Sequence, residues 1–282
     1  MTSPAFVLAA IGPIIHHPFQ FNIGPLQFTG FGIAVVTGFI IAQVISQYQM
    51  QRLGYDPAPV GDMVVGAVIG GLLGAKLYFV VVLGNWNALF ARGGFVFWGG
   101  LIGGAAGVLL VSRLKRVPLL RTMEIAAPAI AAAYAIGRTG CWAVGDDYGR
   151  PWNGPLAVQF PEGAPASTVG IMSREFGASF PPGTDPNRVV AVHPTQLYEV
   201  TLALLMFAIL WRLRRHRHAE GWLFGVYLVL AGVERFIVEF FRAKDDRLAI
   251  GITEAQILAI IAVILGGVMM YVRRNRAPLP AT

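Results

Sequence analysis

Seven stretches of predominantly apolar residues, near 28–48, 60–83, 95–112, 120–141, 195–213, 221–241 and 250–272, constrain this chain more than anything else in it. Each is close to the ~20 residues that a helix needs to cross the hydrocarbon of a bilayer. In lipid a backbone must satisfy its own hydrogen bonds, so such stretches read as helices. A composition that is 55% hydrophobic and 13% charged, with a mean hydropathy of +0.61, excludes an ordinary soluble domain. The expected fold is an all-α integral membrane protein of seven transmembrane helices. The loop between the fourth and fifth spans is expected to form a small external (periplasmic) cap.

A net charge of +7 and a pI near 9.9 could suggest a nucleic-acid partner, but the basic residues sit in short clusters between apolar spans. Topology and anionic membrane lipid explain them better, and no nucleic acid is expected. Twelve basic residues fall on one side: Arg52; Arg113, Lys115, Arg116 and Arg121; Arg212, Arg214, Arg215 and Arg217; and Arg273, Arg274 and Arg276. The other side carries Arg92, the dispersed Arg150, Arg174 and Arg188, and Arg242, Lys244 and Arg247. The bias puts the N-terminus outside and the C-terminus in the cytoplasm.

The expected organisation is an N-terminal interfacial segment (1–27), spans one to four (28–141), an external cap (142–194), spans five to seven (195–272) and a cytoplasmic tail (273–282). The apolar stretch Ala5–Ile15 has no preceding Lys or Arg and is too short to span, so it reads as lying along the interface rather than as a cleaved signal peptide. His16 and His17 read as an exposed interfacial pair. A single cysteine cannot form an internal disulfide and leaves the redox compartment open.

Where the fourth span meets the polar loop, the chain reads GRTGCWAVGDDYGR from Gly137 to Arg150. An arginine at membrane depth is costly unless it faces a polar cavity or a partner, so Arg138 is read as functional, handling something anionic. In the sixth span, Arg235, Glu239 and Arg242 recur at i, i+4 and i+7 and share a helical face. The fifth span opens HPTQLYE, with His193 and Pro194 before the helix and Thr195, Gln196, Tyr198 and Glu199 in its first turns. Lys76 and Tyr78 lie in span two and Trp98 in span three; all of these but Lys76 fit the outer half of the bundle, as a polar funnel open to the outer leaflet.

Each also has a structural reading. Arg235 with Glu239 can be a pair that holds helices together, Arg242 can snorkel to phosphates, and His193 can be a turn residue or cap. Cys141 reads as a small buried apolar residue rather than a nucleophile, and Trp98 as packing or an interface anchor. Glycines at fourfold spacing, Gly66, Gly70 and Gly74, then Gly99, Gly103 and Gly107, read as tight helix packing, or else as thin helices that leave a cleft for a lipid tail. No metal, nucleotide or haem motif is present, and no metal or cofactor is expected.

Taken together, GRTGCWAVGDDYGR, HPTQLYE and ERFIVEFFR, in that order along a seven-span frame, resemble the bacterial prolipoprotein diacylglyceryl transferases. The resemblance covers essentially the whole chain. It implies an enzyme of the bacterial cell (inner) membrane with phosphatidylglycerol and preprolipoprotein signal peptides as partners. Such an enzyme moves a diacylglyceryl group from phosphatidylglycerol to the lipobox cysteine thiol, leaving a thioether and releasing glycerol phosphate. By the same resemblance Arg138 is the motif arginine at the headgroup and Arg235 the essential arginine of the sixth span. Glu239 and Arg242 continue that motif, Asp146 stands where the family usually has glutamate, and Gly149 is a motif glycine. The implied catalytic set is Arg138, Arg235, Asp146, Glu239 and His193. The implied substrate-binding set is Arg138, Arg235, Arg242, Gly149, Cys141 and Tyr198.

The chain departs from the family pattern at three places. Trp98 replaces the third-span histidine proposed there as a base, Cys141 replaces an asparagine, and Phe31 replaces a first-span tyrosine. Proton removal then falls to Asp146, Glu239 or His193, or needs no strong base. The alternative is a paralogue that binds or transports lipid without the reaction.

Overall fold

The computed structural model describes residues 14–90, 94, 96–243 and 251–275. Most of the expected interfacial stretch, together with Arg92, Lys244, Arg247 and Arg276, lies outside them. The long helices are α1 (Gly30–Arg52), α2 (Ala58–Leu83), α3 (Phe97–Leu114) and α4 (Leu119–Val144). A short α5 (Val169–Phe176) follows, then α6 (Thr195–Leu213), α7 (Trp222–Glu239) and α8 (Glu254–Arg273). Six of these, all but α5 and α7, are long and apolar enough to cross a membrane. The 18-residue α7 differs from them in carrying Glu234, Arg235 and Glu239.

α4 is the centre of the bundle. Half of its apolar stretch is buried, because alanines at Ala127, Ala131 and Ala135 make one face thin enough for α6 and α7 to lie close. That face meets Ala203, Met206 and Leu210 of α6 and Leu223 and Val226 of α7. Extending each stripe toward the polar end brings Arg138 on α4, three residues past Ala135, and Glu199 on α6, four before Ala203, to the same interface. At the other end Glu124, buried near the start of α4, pairs with His216 just past α6 at 2.6 Å and accepts from the backbone N–H of Gly221 and Leu223 at the start of α7. α4 and α6 are therefore antiparallel. The basic residues that follow α3 and α6 gather at the end away from Arg138.

The two glycine rows pack on each other. A Cβ on Gly70 would lie on the carbonyl oxygen of Gly103, and one on Gly74 on that of Gly99, so tight packing is the role of this face. A groove of ≈ 490 Å³ runs along the same two helices, lined by Gly66, Gly70, Gly103 and Gly107 together with Val65, Ile69, Leu73 and Leu110 among others. Gly70→Leu should cost at least about 1–3 kcal/mol, because the obstacle is backbone rather than a movable side chain. An unchanged Tm in detergent would contradict this.

Residues 14–29 form short strands. β1 (Ile14–Ile15) runs parallel to β4 (Val158–Gln159), which pairs with β5 (Ala191–Val192), while β2 (Gln20–Ile23) and β3 (Leu26–Thr29) form a hairpin. The strand pairing draws His16 into the loop between α4 and α6. His16 is buried, with its ring 4.8 Å from that of Trp142 and 5.0 Å from that of Phe160, while His17 is exposed. The expected exposed pair is therefore half wrong: long-range pairing of the strand overrides its polarity.

Candidate active site

Past its last turn α4 ends at Gly145, whose φ of +72° reverses the chain into the loop Asp146–Arg150. This loop is stitched to two other segments. The Gly149 N–H donates to the His193 carbonyl at 2.8 Å, Arg150 N–H to Phe241 at 2.9 Å, and the Thr195 hydroxyl to the Asp147 carbonyl at 2.7 Å. Gly149 is buried, and a Cβ there would press on the Phe241 carbonyl, His193 and Thr195. The lack of a side chain lets this loop lie closely against both segments.

The stitching brings Arg138, Arg235 and Arg242 into one ion-pair network. Arg138 Nε faces Glu199 Oε2, and Arg138 Nη1 donates to Asp147 Oδ2 at 2.9 Å. Arg242 reaches Asp147 Oδ1 at 3.3 Å, Glu199 Oε1 at 3.7 Å and Glu239 Oε2 at 3.9 Å. Arg235 Nη2 pairs with Glu239 Oε2 at 2.7 Å. Three guanidinium groups thus share three carboxylates. Glu199 and Glu239 are almost wholly enclosed, with side chains 1% and 2% exposed, whereas the Asp147 side chain is 44% exposed. Arg138 Nη2 is buried and has no hydrogen-bond partner among the described residues.

Two members of this network, Glu199 and Asp147, are absent from the catalytic and substrate-binding sets that the resemblance implies, although Glu199 belongs to the expected polar funnel. Glu199 is a lone carboxylate one turn into an apolar helix, which is the signal that could have found it. Asp147, rather than its neighbour Asp146, meets the arginines: its φ of +55°, rare for a residue with a Cβ, turns its side chain to them. Burial raises the Asp147 carboxyl, but the charges of Arg242 and then Arg138 outweigh it and hold the group below the usual range. Burial, reinforced by Asp147, pushes the Asp146 carboxyl up to about 6. One oxygen of Asp146 is buried with no hydrogen-bond partner among the described residues.

Cys141, buried, accepts from Arg138 Nη1 at 3.2 Å. Cys141, Asp146 and Asp147 bring potential ligand atoms within 4.8 Å of one another. The guanidinium of Arg138, bonded to both Cys141 and Asp147, already supplies the cation there. His193 lies beside the network, its ring stacked on Trp152 at 4.3 Å and its Nδ1 3.1 Å from the Tyr198 hydroxyl. Burial lowers its pKa, so the imidazole is neutral at pH 7. Trp98, 47% exposed, packs edge-on against Phe97 on α3, and Lys76 lies buried over the Phe79 ring at 5.6 Å. A second concavity of ≈ 360 Å³, lined by Pro151, Asn153, Gln159, Phe180 and Arg188 among others, shares no residue with the arginine network.

From residue 18 to residue 272 the chain is matched by the family model described as prolipoprotein diacylglyceryl transferase. The chain belongs to this family. Among its relatives, a protein of Stenotrophomonas maltophilia is 31% identical over 280 residues, covering 93% of each chain. One of Idiomarina loihiensis is 30% identical over 285 residues, covering 95% of this chain and 96% of the relative. One of Clostridium tetani is 29% identical over 266 residues, covering 92% and 98%. All three are named phosphatidylglycerol–prolipoprotein diacylglyceryl transferase.

Proposed function

We propose that this chain transfers a diacylglyceryl group from phosphatidylglycerol to the lipobox cysteine thiol of a preprolipoprotein, forming a thioether and releasing glycerol phosphate. The observation that carries this reading is the convergence of Arg138, Arg235 and Arg242, from α4, α7 and the segment after α7, into one ion-pair network. The substrate sulfur attacks the glyceryl carbon beside the phosphodiester. A C–S bond forms, the C–O bond to phosphate breaks, and the departing glycerol phosphate takes the electron pair. Negative charge grows on that oxygen, where arginine forks bind phosphate in two-point contacts and stay charged in low dielectric. Arg138 and Arg235 hold the phosphate with Arg242, Glu239 positions Arg235, and Cys141 and Tyr198 shape the wall around it.

The thiol proton needs an acceptor. Glu239 is engaged by two guanidiniums, and the unpartnered oxygen of Asp146 is buried. His193 is half-buried and neutral, with Tyr198 holding one ring nitrogen, and takes this role. Activity should then fall as the pH drops through a value below 6.5, where the imidazole becomes charged. Asp146, raised to about 6, would also lose its charge in acid, so the variants decide between them. His193→Gln should lower kcat and flatten the acid limb of the pH–rate profile, while Asp146→Asn should keep that limb. The reverse pattern would move the role to Asp146.

In this reading α7 is a seventh span whose charges face the bundle interior. The protein lies in the bacterial inner membrane, with the N-terminus and the cap formed by 142–194 outside and the basic ends in the cytoplasm. The test is incubation of membranes holding the protein with phosphatidylglycerol and a lipobox peptide. Thioether product together with glycerol phosphate is expected. Lipid movement without product would instead identify a non-catalytic lipid binder.

A further inference from the structure

With all six groups ionised, the three guanidiniums and three carboxylates of the network sum to zero. Removing one carboxylate leaves +1, the charge that a single phosphodiester neutralises. The three acids are not equivalent. Glu199 and Glu239 project from helices into enclosed surroundings, 1% and 2% exposed, so neither has a path into water, and moving Glu199 would strip the buried Arg138 of a partner. Asp147 is on a loop between Gly145 and Gly149, is water-accessible, and offers one oxygen to Arg138 at 2.9 Å and the other to Arg242 at 3.3 Å. Two non-bridging oxygens of a phosphodiester would bridge the same two guanidiniums in the same way. Arg138 Nη2, buried with no hydrogen-bond partner among the described residues, is a donor that the carboxylate leaves unused and a ligand with more oxygens can fill.

We propose that Asp147 is a specificity-determining residue: its carboxylate stands in for the lipid phosphodiester between Arg138 and Arg242, and an anionic headgroup enters by expelling it into water. The proposal rests on the reading that an anionic phospholipid binds this network, and deepens it. Asp147 stays ionised at neutral pH, since the two arginines outweigh its burial, so it competes throughout the working range. An uncharged lipid such as diacylglycerol brings nothing to replace the carboxylate and is rejected. After transfer, the returning carboxylate helps to displace glycerol phosphate.

The test uses the full chain in nanodiscs of phosphatidylcholine with increasing phosphatidylglycerol. Asp147→Asn removes the competing charge with little change of shape, and should bind phosphatidylglycerol about 5- to 10-fold tighter, with KM lowered by the same factor and kcat not raised. Asp147→Glu should return both toward the wild type. In the unmodified protein, carbodiimide labelling of the Asp147 carboxyl, read by mass spectrometry, should rise several-fold on addition of phosphatidylglycerol and stay flat in phosphatidylcholine alone. This second measurement needs no variant, and so decides the matter even if Asp147→Asn fails to fold. Affinity that is unchanged or weaker in Asp147→Asn, or labelling insensitive to phosphatidylglycerol, overturns the proposal. If labelling and affinity respond as expected but no thioether forms, the transferase reading fails and the displacement stands. If thioether forms while labelling stays flat, only the displacement fails.

Discussion

Arg138→Gln should cut thioether formation by about 100- to 1000-fold, the usual loss when one fixed donor to a developing oxyanion is removed. The loss should appear in kcat as well as in KM, because the charge that Arg138 meets is larger on the departing phosphate than on the bound diester. Glutamine keeps some bulk and hydrogen-bonding capacity but leaves the enclosed Glu199 with only the Arg242 guanidinium, at 3.7 Å. Part of the effect will therefore be lost order in the network. Arg138→Lys separates the two contributions: it preserves the charge opposite Glu199 and loses the fork that reaches Glu199, Asp147 and Cys141 together. Arg138→Lys should fold like the wild type and still lose at least tenfold in rate. Wild-type turnover in Arg138→Gln, with normal expression, would remove this arginine from the chemistry.

Glu199→Gln should be the most destabilising single change at the site. Its carboxylate, 1% exposed, faces Arg138 and lies 3.7 Å from Arg242, so neutralising it leaves two guanidiniums short of a partner in enclosed surroundings. Breaking a buried pair by removing one partner costs about 3–5 kcal/mol. Thermal unfolding in detergent should show a clear fall in Tm, accompanied by loss of activity. Glu199→Asp, which retains the charge on a shorter stem, should recover most of the stability. A Glu199→Gln protein as stable as the wild type would mean that the network is held by Asp147 and Glu239 alone.

Much of the site was legible before any coordinates. Arg138, Arg235 and Arg242 stand out because charge within an apolar run is conspicuous and expensive, and the i, i+4, i+7 spacing foretells the Arg235–Glu239 pair seen at 2.7 Å. Fourfold glycine spacing likewise announces close helix packing. Less legible was which carboxylate serves which arginine. Asp146 and Asp147 are chemically alike and adjacent, and a left-handed backbone at Asp147 decides between them. The close approach of Gly149 to Phe241, His193 and Thr195 was hidden as well, since it depends on segments far along the chain. His16 looked exposed because its burial depends on β1 pairing with a strand more than 140 residues later.

From its sequence alone this chain is a set of membrane-length helices with basic connections at one end and arginines held at the other. Those properties are local: hydrophobicity, helical hydrogen bonding and the cost of charge in lipid act within a turn or a span. The tertiary structure alone decides that the alanine face of α4 turns Arg138 toward Glu199 of α6, and that the loop after Gly145 carries Asp147 between Arg138 and Arg242. Such pairings depend on the rotation and register of helices distant along the chain. Periodicity within one helix specifies which residues share a face, but not which face of another helix they meet.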